Sequence, residues 1–559
     1  MLMRRLHFRN RCWLLCGILL LWSLSGMTQT GTGNQVPVTI TNARVFESIQ
    51  LNGRPLNKLI GDVQLEQNGT LFYCDSAYID LAANNLEAFG NVRILQPGGT
   101  EVSSDYLKYT GNQKEAFLRG NVHLLNSTDN LWCENLTYRT DTKIGTYTNG
   151  GTLQTASTTL TSTSGWYNVR NKDSRFTGDV LVSDSAYNII SDDLGYNTES
   201  KLVQFFAASI VRNDKSELRT TAGTYDSKAE IAHFTKRSSI WNRSQYVEGD
   251  QLDYNRHTGN GIAVGKVRAM DTVQHITLWS DHAIVNEKLK TLLATRKPVL
   301  RKAEGLDTLY MRADTFFSAT YSALLQWQKT RLLTERPVRA DSGSTRRRTT
   351  RNRAPDTTVV VASNPVPEDT SQAFIGFRHV IVFSDSLQAR ADSLSYTRRD
   401  STLRLMKQPV AWARQSQVTG DTLLLQNDSG RIKRIFIPNN AFVASRTGPE
   451  QAAIFDQVQG KTLTGYFKGS QLSHMVVWPQ AESIYYPKDD SGAYLGVNRV
   501  SSERMTVFFG DQALQNILLE QDIKQKMYPI TQVNLAEMRL SRFIWREDER
   551  PLSVAEIFK

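Results

Sequence analysis

Short runs of alternating apolar and polar residues follow one another along most of the chain and form a two-part repeat. The first part is a glycine, a variable residue and a valine or leucine, followed by further alternation. Copies begin at Gly61 (GDVQL), Gly90 (GNVRIL), Gly120 (GNVHLL), Gly151 (GTLQT), Gly178 (GDVLV) and Gly265 (GKVRA). Degenerate copies lie around Ser209, Ser239 and Lys297, so the unit recurs about every 30 residues, a spacing typical of stacked repeats.

The second part of the unit reads acidic, variable, apolar, variable, aromatic. It is present as DYLKY at Asp105, ENLTY at Glu134, DDLGY at Asp192, DQLDY at Asp250 and DSLSY at Asp392, with weaker forms at Asp75 (DSAYI), Asp281 (DHAIV), Asp314 (DTFFS) and Asp421 (DTLLL). Two short alternating runs separated by turn-forming residues predict a strand–turn–strand unit. Each strand then has one apolar face, and stacked units share one interior. We therefore predict an all-β fold, a repetitive solenoid of stacked short strands with about 30 residues per repeat.

The glycine and the acidic residue of each unit have predictable places in such a stack. The glycine ahead of the valine is expected at a bulge or bend, where the sheet turns a corner. The acidic residue that opens the second strand is a good turn former and keeps that edge of the strand soluble.

Breaks in the repeat pattern divide the chain into five segments. The start is basic and is followed by an apolar run too short for a comfortable membrane span, which fits a signal peptide, with an uncleaved signal anchor as the alternative. A later stretch loses the alternation and is expected to be disordered or loosely ordered. The predicted segments are a signal peptide (1–25), a first block of repeats (36–320), a basic insertion rich in Pro, Ser and Thr (321–373), a second block of repeats (374–487) and a C-terminal cap or tail (488–559), part of which has helical spacing.

The net charge of +11 is concentrated in two of these segments. The predicted signal peptide carries four arginines and no acid, and residues 328–354 carry nine basic residues against two acids. The rest of the chain is neutral overall, which is not the electrostatic footprint of a nucleic-acid-binding protein. The basic stretch Arg346–Arg353 suits either acidic lipid headgroups or a solvated loop.

No motif for catalysis, a cofactor or a metal stands out. The closest pair of histidines, His275 and His282, falls short of the three or four ligands that zinc takes. The segment that begins at Gly259 departs from a phosphate-binding loop at Asn260 and Val267. We therefore expect no enzyme activity, no cofactor and no metal site.

Two cysteines, Cys74 and Cys133, remain after the predicted signal peptide. They are two repeats apart, and stacking would separate them by at least about 10 Å, beyond disulfide reach. We predict two unpaired thiols.

The glycine–valine strand paired with an acidic-x-Leu-x-Tyr strand resembles the OstA/LptA-like family of periplasmic lipopolysaccharide-transport proteins. The resemblance covers residues 55–320 and, more loosely, 374–486. It implies an open, twisted β-jellyroll in the periplasm whose apolar interior holds the acyl chains of lipopolysaccharide or lipid A. It also implies a role in outer-membrane assembly and joining to other such β-jellyrolls through edge strands. The chain departs from the family in its larger number of repeats, its basic insertion and its tail.

If the resemblance holds for function, the inward-facing apolar residues line the path of the lipid. The candidates are Val63, Leu65, Val92, Ile94, Leu107, Tyr109, Val122, Leu124, Leu136, Tyr138, Val180, Val182, Leu194, Tyr196, Leu252 and Tyr254. The alternative is that these residues pack against each other in a closed core. Two hypotheses therefore remain, a lipid carrier or bridge with an open groove and a structural or adhesive β-solenoid with a filled interior.

Overall fold

The computed structural model describes residues 37–559 apart from positions 52, 305–306, 326–370, 429–430, 470 and 511–512. The predicted signal peptide (1–25) and most of the predicted insertion (321–373) lie outside the described residues.

The described chain forms 43 β-strands in one continuous, antiparallel hydrogen-bonded ladder, which confirms the all-β prediction. The first strands are β1 (Thr39–Asn42), β2 (Val45–Leu51), β3 (Arg54–Gln67), β4 (Thr70–Asp80), β5 (Asn85–Leu95), β6 (Glu101–Thr110), β7 (Glu115–Asn126), β8 (Asp129–Arg139), β9 (Ile144–Gln154), β10 (Thr158–Ser162), β11 (Ser164–Asn168), β12 (Asp173–Asp184), β13 (Asn188–Asn197), β14 (Leu202–Phe205) and β15 (Ser209–Arg212). The next are β16 (Ser216–Thr220), β17 (Gly223–Asp226), β18 (Ile231–Phe234), β19 (Ser238–Asn242), β20 (Gln245–Gly249), β21 (Gln251–Asn255), β22 (Asn260–Asp271), β23 (Ile276–Asn286), β24 (Thr291–Thr295), β25 (Val299–Glu304), β26 (Asp307–Arg312), β27 (Thr315–Thr320), β28 (Gln372–Phe383) and β29 (Gln388–Thr397).

The strands continue with the same pairing to the far end of the ladder. These are β30 (Thr402–Met406), β31 (Val410–Ala413), β32 (Ser416–Thr419), β33 (Thr422–Asp428), β34 (Arg431–Ile437), β35 (Ala441–Arg446), β36 (Phe455–Gly460), β37 (Thr462–Lys468), β38 (Gln471–Trp478), β39 (Ala481–Tyr485), β40 (Val497–Ser502), β41 (Arg504–Gly510), β42 (Ala513–Glu520) and β43 (Lys524–Tyr528). Short 3₁₀ helices lie at Glu450–Ala452, Ile530–Gln532 and Glu547–Glu549, and helical turns at 321–325 and Val554–Ile557.

Pairing sorts the strands into two facing columns, here called sheet I and sheet II. The N-terminal half of β5 pairs with the C-terminal half of β6 in sheet I, and the other two halves pair in sheet II. Long strands contribute to both sheets in this way. Elsewhere two consecutive short strands take the place of one long strand, as β24 in sheet I and β25 in sheet II do. At about 4.8 Å per strand level, the stack is roughly 130 Å long before twist is considered.

The backbone bulges where a long strand crosses between the sheets. Gly90 and Asn91 both have positive φ (73° and 43°), and the register of β5 against β6 shifts there. The Asp75 carboxylate accepts a hydrogen bond from Asn91 Nδ2 at 2.9 Å, and a Cβ on Gly90 would lie within 3.1 Å of three Asp75 atoms. Asp105 binds Asn121 in the next repeat in the same way, at 2.8 Å. The bulge predicted at the repeat glycine is confirmed, and the acid of the preceding strand covers it.

The apolar faces of the two sheets meet in two successive main cores. The first core contains buried side chains from Val38 to Ala283, and the second contains buried side chains from Leu278 to Val507. The ladder extends past the predicted boundary at residue 487, because β40 to β43 add further levels to both sheets. Residues 529–559, here called the strap, then run back along the outer face of sheet II.

Candidate functional site

One tyrosine per repeat lies at the mouth between the two sheets, on the side opposite the bulges. The tyrosines share one repeat position on sheet I and are spaced 29 residues apart: Tyr109, Tyr138, Tyr167, Tyr196, Tyr225 and Tyr254. The first five, here called the tyrosine row, reach across the mouth to sheet II. The row therefore connects the strand ends of sheet I with those of sheet II along the mouth.

Hydrogen bonds hold most of this row to the opposite sheet. The hydroxyls donate as follows: Tyr109 to Gln67 (2.7 Å), Tyr138 to Gln96 (2.8 Å) and Tyr167 to Asp129 (2.7 Å). Tyr196 Oη lies 3.3 Å from Thr158 Oγ1, and the Tyr225 ring packs edge-on against Tyr187 at 6.1 Å. Lys143 and Lys172 add bonds from sheet I to Gln96 and Asp129 at 2.8 and 3.4 Å. The mouth is closed along this part of the stack.

Behind the tyrosine row the interior is filled by the chain's own side chains. The sequence-predicted candidates in this part are each at most 3% exposed: Val63, Leu65, Val92, Ile94, Leu107, Tyr109, Val122, Leu124, Leu136, Tyr138, Val180, Val182, Leu194 and Tyr196. They belong to one hydrophobic core. Interiors of this kind are close-packed, so a ligand would have to displace side chains to enter.

The tyrosine at the next repeat position does not cross the mouth. The Tyr254 hydroxyl donates to Glu287 Oε2 at 2.6 Å, on the edge of its own sheet. Partial burial, reinforced by the Glu287 carboxylate, raises the pKa of Tyr254 to about 12. Leu252, the neighbouring candidate, is buried, whereas Tyr254 is only partly buried.

From this level onward the facing positions carry small side chains. Ala283 stands at the position that holds leucine in the DYLKY, ENLTY and DQLDY copies, and Val285 replaces their tyrosine. Ala269 takes the place of the second apolar residue of the GNVRIL strand. The small inward-facing residues are Gly249, Gly261, Ala263, Ala269, Ala283 and Ala294. Ala77 and Ala88 hold the positions of Ala283 and Ala263 in the filled core and are buried there, so Ala269 in place of Ile94 and Val285 in place of Tyr109 are the changes that distinguish this region.

Aliphatic side chains beside these small residues are left partly exposed. They are Ile240, Val247, Leu292, Leu300 and Leu309. Val285 is 38% exposed on the inner face, where it stands opposite Gly261 and Leu292, and its neighbour Ile284 is 37% exposed on the outer face. We call this region, from Ile240 to Leu309, the open groove. The first core ends and the second begins here, and these aliphatic side chains are only partly buried.

The mouth closes again beyond the open groove. Lys302, on sheet II, places its ammonium group 5.6 Å from the centre of the Tyr396 ring of sheet I. Tyr396 ends the DSLSY motif and packs against the second core. Charged groups lie at the ends of the strands here: Glu287 accepts the bond from Tyr254, and Arg256 and Glu230 form an ion pair at 3.0 Å on nearby turns. An apolar chain with a polar end would match this distribution of surface.

The sequence contained a signal for the open groove that the repeat pattern obscured. The copies GKVRA at Gly265 and DHAIV at Asp281 carry alanine where stronger copies carry leucine or isoleucine. Leu252 and Tyr254 are the two predicted candidates that the structure brings to this groove; the others lie in the filled core. Ala263, Ala283 and Val285 were missed.

The part of the chain that the structure describes contains no group of three or more His, Cys, Asp or Glu that could hold a metal ion. Among the same residues, no helix is long and apolar enough to cross a membrane. Cys74 and Cys133 are free thiols, as predicted, and burial raises the pKa of both to about 12, so they are poor nucleophiles.

Comparison with known proteins supports the family resemblance over part of the chain. Residues 36–192 match the model of the OstA-like protein family. Among solved structures, the chain is similar to LptH, described as the LptA homologous periplasmic component of the conserved lipopolysaccharide transport device from Pseudomonas aeruginosa. That similarity has 14% sequence identity and a TM-score of 0.20, and it covers 26% of this chain and 95% of LptH. A search of curated proteins gave no match.

Proposed function

We propose, from the OstA-like match over residues 36–192 and the open groove, that this chain is a periplasmic lipid carrier or bridge. It would hold acyl chains of lipopolysaccharide or lipid A during transport and outer-membrane assembly, and the predicted signal peptide would deliver it to the periplasm. The observation that carries this proposal is the replacement of leucine, isoleucine and tyrosine by Ala283, Ala269 and Val285, beside aliphatic side chains that are only partly buried.

The groove suits an acyl chain in shape and polarity. Each methylene that leaves water for an apolar surface contributes about 0.8 kcal/mol, so about ten methylenes would contribute roughly 8 kcal/mol before the costs of binding. The polar headgroup would remain at the mouth, among the ion-paired turns near Arg256. An apolar chain there would cover aliphatic surface that the protein leaves partly exposed.

The structural hypothesis applies to a different part of the same chain. The tyrosine row and the filled core behind it favour a rigid, closed spacer over residues 59–225. We therefore assign the candidates from Val63 to Tyr196 a packing role and the open groove, including Leu252 and Tyr254, the lipid-lining role. A long stack with one open region would bridge distance in one part and hold lipid in another.

The ends of the ladder offer a way to lengthen the bridge. In the described residues, β1 and β2 at one end and β42 and β43 at the other each pair with a single neighbour. An unpaired edge can add a strand from another chain. Other lipopolysaccharide-transport β-jellyrolls are the partners that this arrangement would suit.

The proposal is tested by lipid extraction and native mass spectrometry on residues 26–559 purified from a Gram-negative host. Val285→Asp places a charge in the groove, whereas Ile284→Asp places the same charge at the same exposure on the outer face. We expect lipopolysaccharide or lipid A to co-purify with the wild type and with Ile284→Asp, and to be lost from Val285→Asp. A lipid-free wild type that takes up no added lipopolysaccharide, or equal loss in both variants, would contradict the groove.

A further inference from the structure

The strap binds the outer face of sheet II through glutamines that imitate a neighbouring strand. Gln457, on β36, donates to the Met538 carbonyl and accepts from the Leu540 amide, both at 2.9 Å. Gln417, on β32, does the same with Ile544 and Arg546 at 2.6 and 2.7 Å. The exposures of the two glutamines are 1% and 0%. Each side-chain amide thus pairs with a strap carbonyl and the amide two residues further on, so the attachment is specific for extended backbone.

Aromatic contacts complete this proximal attachment. The Phe455 ring, on β36, lies 5.1 Å from Phe543 and 4.7 Å from Trp545 of the strap. Trp412 is fully buried on the same outer face. Further along, Arg550 binds Gln388 Oε1 through two nitrogens at 2.9 and 2.7 Å. The first two-thirds of the strap is therefore firmly bound to β29–β36.

The distal end of the strap reaches the strands that form one wall of the open groove. Ile557 is fully buried and packs with Val299 of β25 and Phe383 of β28. The Phe558 ring lies 5.4 Å from Trp279 of β23 and 6.4 Å from Tyr310 of β26. The distal end thus contacts three strands of the groove wall from outside.

These same strands face the groove on their other side. Leu278 of β23, Leu300 of β25 and Leu309 of β26 point inward from sheet II. The wall is a single layer of sheet, so any displacement of its outer face also displaces its inner face. On sheet I opposite, the cross-strand pair is the two small residues Ala283 and Ala294.

We infer that the distal end of the strap, residues 551–559, is a brace that fixes the sheet II wall of the open groove and so regulates acyl-chain binding. This inference rests on the proposed function. Without the brace the wall would fluctuate, and a bound chain would have to order it, which weakens binding. The coupling must be reciprocal, so a bound acyl chain also holds the strap in place.

The test compares two substitutions in the strap of the full chain. Ile557→Ser removes the buried contact of the brace, and Leu552→Ser is the matched control, because Leu552 is 74% exposed in the same segment. Binding of lipid A is measured by titration, and hydrogen exchange is followed in β25 and β26. We expect Ile557→Ser to bind at least about fivefold more weakly and to exchange faster in β25 and β26, with no change in Leu552→Ser. In the wild type, added lipid A should slow exchange in residues 551–559.

The outcomes separate this inference from the proposed function. If the wild type and Ile557→Ser bind lipid A equally and Val285→Asp still abolishes binding, the brace is wrong and the groove stands. If the wild type binds no lipid A, the proposed function fails and the regulatory role fails with it.

Discussion

Replacing alanine by leucine at two inward-facing positions compares the open groove with the closed core. Ala283, on β23, is 6% exposed at the groove, and Ala116, on β7, is fully buried behind the tyrosine row. Both lie on sheet I in the middle of a half-strand. Leucine adds the same three carbons at each site, so any difference in cost reports the space around the site.

The expected magnitudes follow from the packing. At Ala116 the neighbours are fully buried leucines and tyrosines, and extra carbons in such a core cost about 1–3 kcal/mol. At Ala283 the neighbours include the small Ala294 and the partly exposed Leu292 on β24, and Ala269 on the facing sheet, so we expect the added carbons to be accommodated. We expect Ala283→Leu to change the local stability by no more than about 0.5 kcal/mol, and to abolish lipid binding because it narrows the open groove.

Native-state hydrogen exchange suits this comparison, because long repeat arrays do not unfold in a single step. Exchange is followed in β7 for Ala116→Leu and in β23 for Ala283→Leu. The account predicts faster exchange in β7 and nearly unchanged exchange in β23. Equal destabilisation at the two sites would mean that the groove is as tightly filled as the core, and the reasoning from small side chains would be refuted.

Three further predictions concern the mouth, a buried carboxylate and the strap. Tyr138→Phe removes the bond to Gln96 across the mouth and should lower local stability by about 1 kcal/mol, measured by hydrogen exchange in β8; an unchanged exchange rate would mean that the tyrosine row does not close the mouth. Burial raises the pKa of Asp456 to about 6 from an ordinary value of 3.8, so its stability contribution is present below about pH 4 and is lost as the pH rises through 6. Asp456→Asn, which keeps an acceptor for the Tyr486 amide, should therefore raise the local opening free energy by up to about 3 kcal/mol at pH 7.5 and leave it unchanged at pH 3, measured by native-state hydrogen exchange in β36. Gln417→Ala leaves a strap carbonyl and amide unpaired and should increase protease cleavage within residues 540–550, an effect that a loosely attached strap would not show.

The sequence predicted the parts of the fold that depend on neighbouring residues. Strand alternation and the bulge at Gly90 are local, and a period of about 30 residues repeats them. The prediction that the acidic residue opens its strand as a turn former is wrong, because Asp75 lies within β4 and accepts a hydrogen bond from Asn91 at the bulge. The unpaired state of Cys74 and Cys133 followed from the same stacking argument.

The division of the interior could not be predicted in the same way. Whether a repeat is closed depends on a partner on the facing sheet, as Tyr109 depends on Gln67, which is 42 residues away. Alanine at position 283 fits a strand as well as leucine does, so the alternation gave no reason to separate an open region from a filled one.

The strap shows a second limit of pattern reading. The stretch VNLAEMRLSRFIW has helical spacing, but the structure has turns and irregular backbone from Val533 to Trp545. The spacing of its apolar residues matches their contact sites on sheet II, such as Phe455. Its backbone forms hydrogen bonds with the side chains of Gln457 and Gln417. No local preference of the tail encodes those distant partners.

Site-specific photo-crosslinking tests the central claim most directly. A photo-reactive amino acid is placed in turn at Val285 in the open groove, at Ile284 on the outer face of the same strand and at Leu118 in the closed core. The account predicts that lipopolysaccharide crosslinks to position 285 alone when the protein is irradiated in a Gram-negative host. Crosslinks of equal yield at positions 285 and 284, or a crosslink at 118 with none at 285, would contradict it.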